Sequence, residues 1–388
     1  MRTVYFDYNA TTPLDPGVRA SMLPFLEDIW GNPSSVHHIG RHARAALDDA
    51  RDRVANVFQC KPSEVVFTSG GTESVNLAIL GTARALKDKG RHLITSAIEH
   101  HAVLHACDYL AKNEGFSVTH LPVDAEGRVS PEDLQRALRP DTVLVSLMAA
   151  NNEIGTVQPV AESGAICRVR GVSFHTDAVQ WFGKEPFHNI AQFNADLVSL
   201  CPHKFHGPKG VGVLYVRSPL LPDSIIFGGS HENERRAGTE NLAGIIGLAA
   251  ALERFVPKPV FPPDHLWNLT RDLIEAARQI PSLRFTGSQT QRLANTTAFL
   301  VSGTDSISLL AALDLEGICA SAGSACSAGS VAPSHVVRAL GLEEAGDQAL
   351  LRFSLGRDST PAEVELATTA LRAIIRRVQS GQQPAKRR

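Results

Sequence analysis

From about residue 64 to residue 217 the chain repeats one unit: a short run of β-branched and apolar residues, then a longer stretch with apolar positions at helical spacing. The runs 65–68, 92–96, 116–123, 142–149, 172–179, 196–201 and 211–217 predict seven strands. Helices are predicted between them. Over 101–115, for example, Val103, Leu104, Cys107, Leu110 and Ala111 fall on one helical face. Ser130-Pro131-Glu132 opens another helix, with a hydroxyl at the N-cap and proline in the first turn. Strands alternating with helices predict an α/β fold with a mostly parallel sheet covered on both faces.

The rhythm breaks at 256–263, where four prolines in eight residues predict a hinge or linker. Beyond it the pattern reads helix, strand, helix, strand and a final long helix, a smaller α+β domain. That last helix begins with a capping box, Thr360 and Glu363 around Pro361. Its apolar stripe runs Val364, Ala367, Leu371, Ile374, Ile375 and Val378. A chain of 388 residues is long enough for two cores. The expected division is a large α/β domain over 14–256 and a small one built from 1–13 and 257–388.

Charge and apolar content narrow the partners. Lys and Arg number 38 against 40 Asp and Glu, so no basic footprint for nucleic acid is present. The one basic cluster is the terminal Lys386-Arg387-Arg388, read as a solvated tail. No run approaches the ~20 apolar residues that span a bilayer, and Asp7 interrupts the short apolar N-terminus. Cys60, Cys107, Cys167, Cys201, Cys319 and Cys326 include no CxxC pair, and read as reduced thiols of a cytoplasmic protein.

Four stretches carry candidate chemistry. In Ser199-Leu-Cys-Pro-His203-Lys204, a lysine follows a buried strand among His, Pro and Gly, where a solvated lysine is out of place. It is suited to a Schiff base with a cofactor aldehyde if the rest of a pyridoxal phosphate site exists; otherwise it is a loop lysine. Asp177 ends an apolar strand 27 residues earlier and suits a pyridinium nitrogen, or else caps a turn. Thr68-Ser-Gly70-Gly71-Thr72 offers backbone donors at a helix start for a phosphate, although many α/β turns look alike. Ser321–Ser330 surrounds Cys326 with small residues, as befits an accessible nucleophile. His101 and His105, at i and i+4, lack a third ligand nearby, so no metal is expected. His100, just past a strand end, could stack on a planar ring or move protons.

Together these residues resemble the cysteine desulfurases, the NifS/IscS-like group in the class V aminotransferase branch of fold type I pyridoxal phosphate enzymes. The resemblance runs from Tyr5-Phe-Asp-Tyr-Asn-Ala-Thr-Thr-Pro13 to Arg352-Phe-Ser-Leu-Gly-Arg357, through Gly31-Asn-Pro-Ser-Ser35, Asn151-Asn-Glu-Ile-Gly155, His203-Lys204 and Ala237-Gly-Thr-Glu-Asn241. It implies a homodimer that converts L-cysteine to L-alanine and leaves a persulfide on Cys326, in a loop near 321–333, for an acceptor protein in iron–sulfur cluster or other sulfur biosynthesis. Lys204 would hold the cofactor, Asp177 pair with its ring nitrogen, and His100 stack on the ring. Gln180 and Asn152 would lie near its phenolic oxygen. Gly71, Thr72 and His203 would bind the phosphate, with Thr239 reaching over from the second subunit. Arg352, beside Asn152, would hold the substrate carboxylate. One departure stands out. Where the family has Ser-Gly before His-Lys, this chain has Cys201-Pro202, a weaker donor and a residue without an N–H, which weakens the phosphate contact expected at Cys201. The rival readings are selenocysteine lyase or another β-lyase on the same fold, and a catalytically silent scaffold.

Overall fold

In a computed structural model, residues 3–323, 334–342 and 348–379 are described. Seven strands form the central sheet: β2 (Val65–Thr68), β3 (His92–Ser96), β4 (Ser117–Leu121), β5 (Thr142–Ser146), β6 (Ser173–Asp177), β7 (Leu197–Leu200) and β8 (Gly212–Val216). A short β1 (Val4–Tyr5) precedes them. The sheet order is β2-β8-β7-β6-β5-β3-β4, and only β8 runs against its neighbours. Every side chain of β3, β5, β7 and β8 is buried. That burial accounts for apolar runs in place of an alternating pattern, because helices cover both faces.

The helix His101–Asn113 buries Ala102, Val103, Ala106, Cys107 and Leu110. Ala111, expected on that face, is exposed, because the buried stripe is centred nearer Ala106. Ser130 caps the helix Pro131–Ala137, its hydroxyl accepting from the Asp133 N–H.

The proline-rich stretch is not an exposed linker. Val256 and Phe261 are almost fully buried, and the Phe261 N–H donates to the Gly183 carbonyl at 3.1 Å. Its apolar residues pack against the large sheet's covering layer while the prolines stop it from becoming a helix.

The C-terminal part is richer in strands than its pattern predicts. β9 (Leu283–Thr286), β10 (Thr296–Ser302) and β12 (Gln348–Ser354) form an antiparallel sheet with β10 in the middle. β11 (Ile318–Cys319) pairs in parallel with β1. Two- and four-residue strands are too short to show a period. The final helix, Pro361–Gln379, starts as expected: Glu363 accepts from the Thr360 N–H at 2.9 Å and Thr360 Oγ1 from the Glu363 N–H at 3.3 Å.

Candidate active site

Parallel strands end together, so the loops after them converge at one edge of the sheet. Asp177 is the last residue of β6. Lys204 lies in the turn Pro202–Lys204 that follows β7. Gly71 starts the helix Gly71–Asn76 after β2, and His100 caps the helix after β3. Asn152 follows β5. With Thr72, Gln180, Cys201, His203 and Arg352, these residues line one cavity of about 300 Å³. Ten positions drawn from a span of 282 residues, Gly71 to Arg352, thus meet at a single place.

Lys204 Nζ donates to the carbonyls of Asn9 and Ala10, both at 2.8 Å. Burial holds its pKa below the usual lysine value. Asp177 is buried, and its Oδ1 accepts from the Val179 N–H at 3.0 Å. Burial lifts this carboxyl to about 6, against the opposing pull of that bond and of Lys204. Among the described residues no cation bonds to it, so a buried acid faces the cavity without a cationic partner.

Two imidazoles also line the cavity. His100 Nδ1 accepts from the Ala102 N–H at 3.1 Å. Burial, with Lys204 and three neighbouring histidines, lowers its pKa to about 4. It is therefore neutral at pH 7 and offers a ring face. His203 Nδ1 pairs with Thr11 Oγ1 at 3.2 Å, and burial together with Lys204 lowers it to about 4 as well.

A Cβ on Gly71 would lie 2.9 Å from Val179 Cγ2 and 3.5 Å from Cys201 Sγ. Only a glycine lets this helix start lie flat against the wall. The Gly71 N–H donates to the Cys201 sulfur, and burial pushes that thiol up to about 11. Cys201 is thus a wall residue with little thiolate character.

Arg352, on β12, is 1% exposed. Its Nη2 donates to Asp7 Oδ1 at 2.6 Å and its Nη1 to the Asn152 carbonyl at 2.8 Å, while Nε is buried without a partner. The Asp7 contact was not legible in the sequence. Nor was Asn9, whose polar atoms are all engaged: among its partners are Ser354 Oγ, Thr296 Oγ1, Asn152 O, Asn295 Nδ2 and the side chains of Gln180, Lys184 and Lys204. It ties the C-terminal sheet to the cavity floor. The only sequence signal was its place in Asp7-Tyr-Asn9.

One predicted residue is not brought in. Thr239 is exposed and lies outside the cavity. Cys326 lies outside the described residues. The described residues flanking its segment both meet one side chain: Ser334 Oγ donates to Glu153 Oε2, and a Cβ on Gly323 would come within 2.7 Å of the same oxygen. Glu153 follows Asn152 in the chain. The rings of His101 and His105 are 5.1 Å apart, and His335 lies 4.7 Å from His101. Among the described residues no group has the geometry to hold a metal ion.

Comparison with known proteins agrees with this geometry. The class-V aminotransferase family profile matches residues 4–366. Cysteine desulfurase IscS of Dictyoglomus turgidum is 46% identical over 380 residues, covering 98% of this chain and 96% of that protein. A solved NifS-like protein superposes with a TM-score of 0.89 at 36% identity, over 97% of this chain and 100% of its own. A structure of SspA in complex with cysteine superposes with a TM-score of 0.80, also at 36% identity, over 92% of this chain and 100% of its own. The match spans nearly the whole chain and carries the fold type I arrangement with it: the chain belongs to the class-V aminotransferase family of pyridoxal phosphate enzymes, in its cysteine desulfurase branch.

Proposed function

We propose that the chain is a cysteine desulfurase that takes sulfur from L-cysteine, leaves L-alanine, and carries the sulfur on Cys326 as a persulfide. The observation that carries this reading is that Lys204 and a buried Asp177, to which no cation bonds among the described residues, line one 300 Å³ cavity. The residues present fit pyridoxal phosphate. An amine of lowered pKa meets the aldehyde, an acid awaits the ring nitrogen, and the flat helix start at Gly71 and Thr72 with His203 suits a phosphate. When bound, the cofactor supplies an electron sink for the substrate's Cα electrons.

The chain's own groups do the rest. Lys204 would hold the cofactor, and its amine would move the proton at the substrate Cα. Asp177 would keep the ring nitrogen protonated, and neutral His100 would offer its ring face to the cofactor. Gln180 and Asn152 serve the phenolic oxygen, with Cys201 as wall. Arg352 orients the substrate carboxylate, with Asn152 beside it. The Cys326 thiolate attacks the substrate sulfur. As the S–S bond forms the substrate Cβ–S bond breaks, and its electron pair stays with the carbon skeleton, which takes up a proton to become alanine. Cys326 keeps the sulfur as a persulfide for an acceptor protein. Residues 14–256 form the cofactor half; 1–13 and 257–388 carry the sulfur-accepting loop.

The assembly is a cytoplasmic homodimer. Supporting this, Leu26, Trp30, Val36 and Phe227 are each more than 60% exposed, and Thr239 is exposed as well. No helix among the described residues is long and apolar enough to cross a membrane.

The test is direct. Purified protein given pyridoxal phosphate should turn yellow and form alanine and sulfide from cysteine with a reductant present. Lys204→Ala should lose both. A wild-type chain that takes up no cofactor would sink the reading.

A further inference from the structure

Lys184 is a second buried lysine that the reaction above leaves without a task. It is 2% exposed, four residues beyond Gln180, and no carboxylate is bonded to it among the described residues. Its Nζ donates to Asn9 Oδ1 at 2.6 Å and to Gln180 Oε1, and stands 5.5 Å from the Phe261 ring.

The two amides it bridges have only one allowed orientation. Gln180 Nε2 donates to the Asn9 carbonyl at 3.0 Å, and Asn9 Nδ2 donates to the Asn152 carbonyl at 3.3 Å. Carbonyls can only accept, so neither amide can be turned over. Both amide oxygens therefore converge on one point. Asn9 Oδ1 has a second donor, Asn295 Nδ2 at 3.1 Å; without Lys184 the buried Gln180 Oε1 would be left unpaired, at a cost that swings the Gln180 amide away. Burial, with Lys204 and Arg352 as nearby cations, drives the Lys184 pKa well down. Either protonation state keeps the two N–H bonds that the bridge needs.

Gln180 spends one amide N–H on Asn9 and keeps the other for the cavity it lines. The same Asn9 carbonyl receives Lys204 Nζ. Resting on the pyridoxal phosphate reading of the cavity, we propose that Lys184 is a positioning residue, clamping Gln180 and Asn9 so that the second Gln180 N–H donates to the cofactor's phenolic oxygen. Lys184 acts only through those two side chains and touches neither cofactor nor substrate.

The consequence is spectroscopic. A donor at the phenolic oxygen favours the deprotonated form of the bound cofactor, in which that oxygen carries more negative charge, so losing the donor raises the pH midpoint of the visible band. Wild type, Lys184→Met, Gln180→Leu and the double variant are reconstituted with pyridoxal phosphate and titrated by absorbance. Lys184→Met should raise the midpoint by about one pH unit, the size of one hydrogen bond to a charged oxygen. Gln180→Leu should do the same, and the double variant no more than either. A Lys184→Met protein with a lower melting temperature but the wild-type midpoint, or two shifts that add in the double variant, would overturn the proposal. If Lys184→Met does not fold, Lys184→Leu likewise removes the donor to Gln180 Oε1 and carries the same expectations. A wild-type protein without a visible band would instead reject the cofactor reading itself, and the clamp with it.

Discussion

Glu99 shows how much chemistry one buried residue can store. Its Oε1 accepts from Ser96 Oγ at 2.6 Å and from the Met148 N–H at 2.9 Å, while Oε2 is buried without a partner. Burial raises its pKa to about 8. Between the ordinary carboxylate value of about 4.5 and 8, the folded state holds a proton that the unfolded state has released. Glu99 therefore costs stability increasingly as pH rises through that window. Glu99→Gln keeps both contacts to the side-chain oxygen and cannot ionise. Its melting temperature relative to wild type, measured on the cofactor-free protein, should climb from pH 5 to pH 8; a constant difference would show that Glu99 is ionised in the fold. Residues such as this divide into two kinds. Lys204 and Asp177 were legible because a charged residue directly after a buried strand breaks an apolar pattern. Asn9 and Lys184 were not. Asn9 meets Gln180 and Lys204 across 171 and 195 residues of chain, and nothing local marks an asparagine that will be a hub.

At the scale of elements, the strands were read nearly to their ends because β3, β5, β7 and β8 are buried on both faces. The C-terminal sheet was half-read, since β11 has two residues and β9 has four. In the proposed site, the helix start at Gly71 is the element on which the phosphate contact would depend. A methyl group at Gly71 meets Val179 Cγ2 at 2.9 Å, inside van der Waals contact, so the helix must back away from the wall. Gly71→Ala should weaken pyridoxal phosphate binding at least tenfold, or about 1.4 kcal/mol, in a fluorescence titration, with the far-ultraviolet spectrum unchanged. Wild-type affinity in that variant would remove this helix from the cofactor site. The capping box of the last helix gives a smaller, separate effect: Thr360→Ala should cost about 1 kcal/mol in urea unfolding and leave cofactor affinity untouched.

For the whole molecule, the proposed dimer would cover the exposed apolar residues between 23 and 36, with Phe227. Light scattering at micromolar concentration should give about twice the 41.7 kDa chain mass, and Trp30→Glu should shift it toward one chain. A fully active monomer would contradict both the dimer and the role given to Thr239. The whole account turns on where sulfur goes. Mass spectrometry of the tryptic peptides, after a brief pulse of L-cysteine without reductant, tests that most directly. The account predicts one added sulfur on the peptide holding Cys326, none in Cys326→Ser, and unmodified Cys201, whose buried thiol has little thiolate to offer. Sulfur on Cys201, or on none of the six cysteines while alanine is still formed, would contradict it.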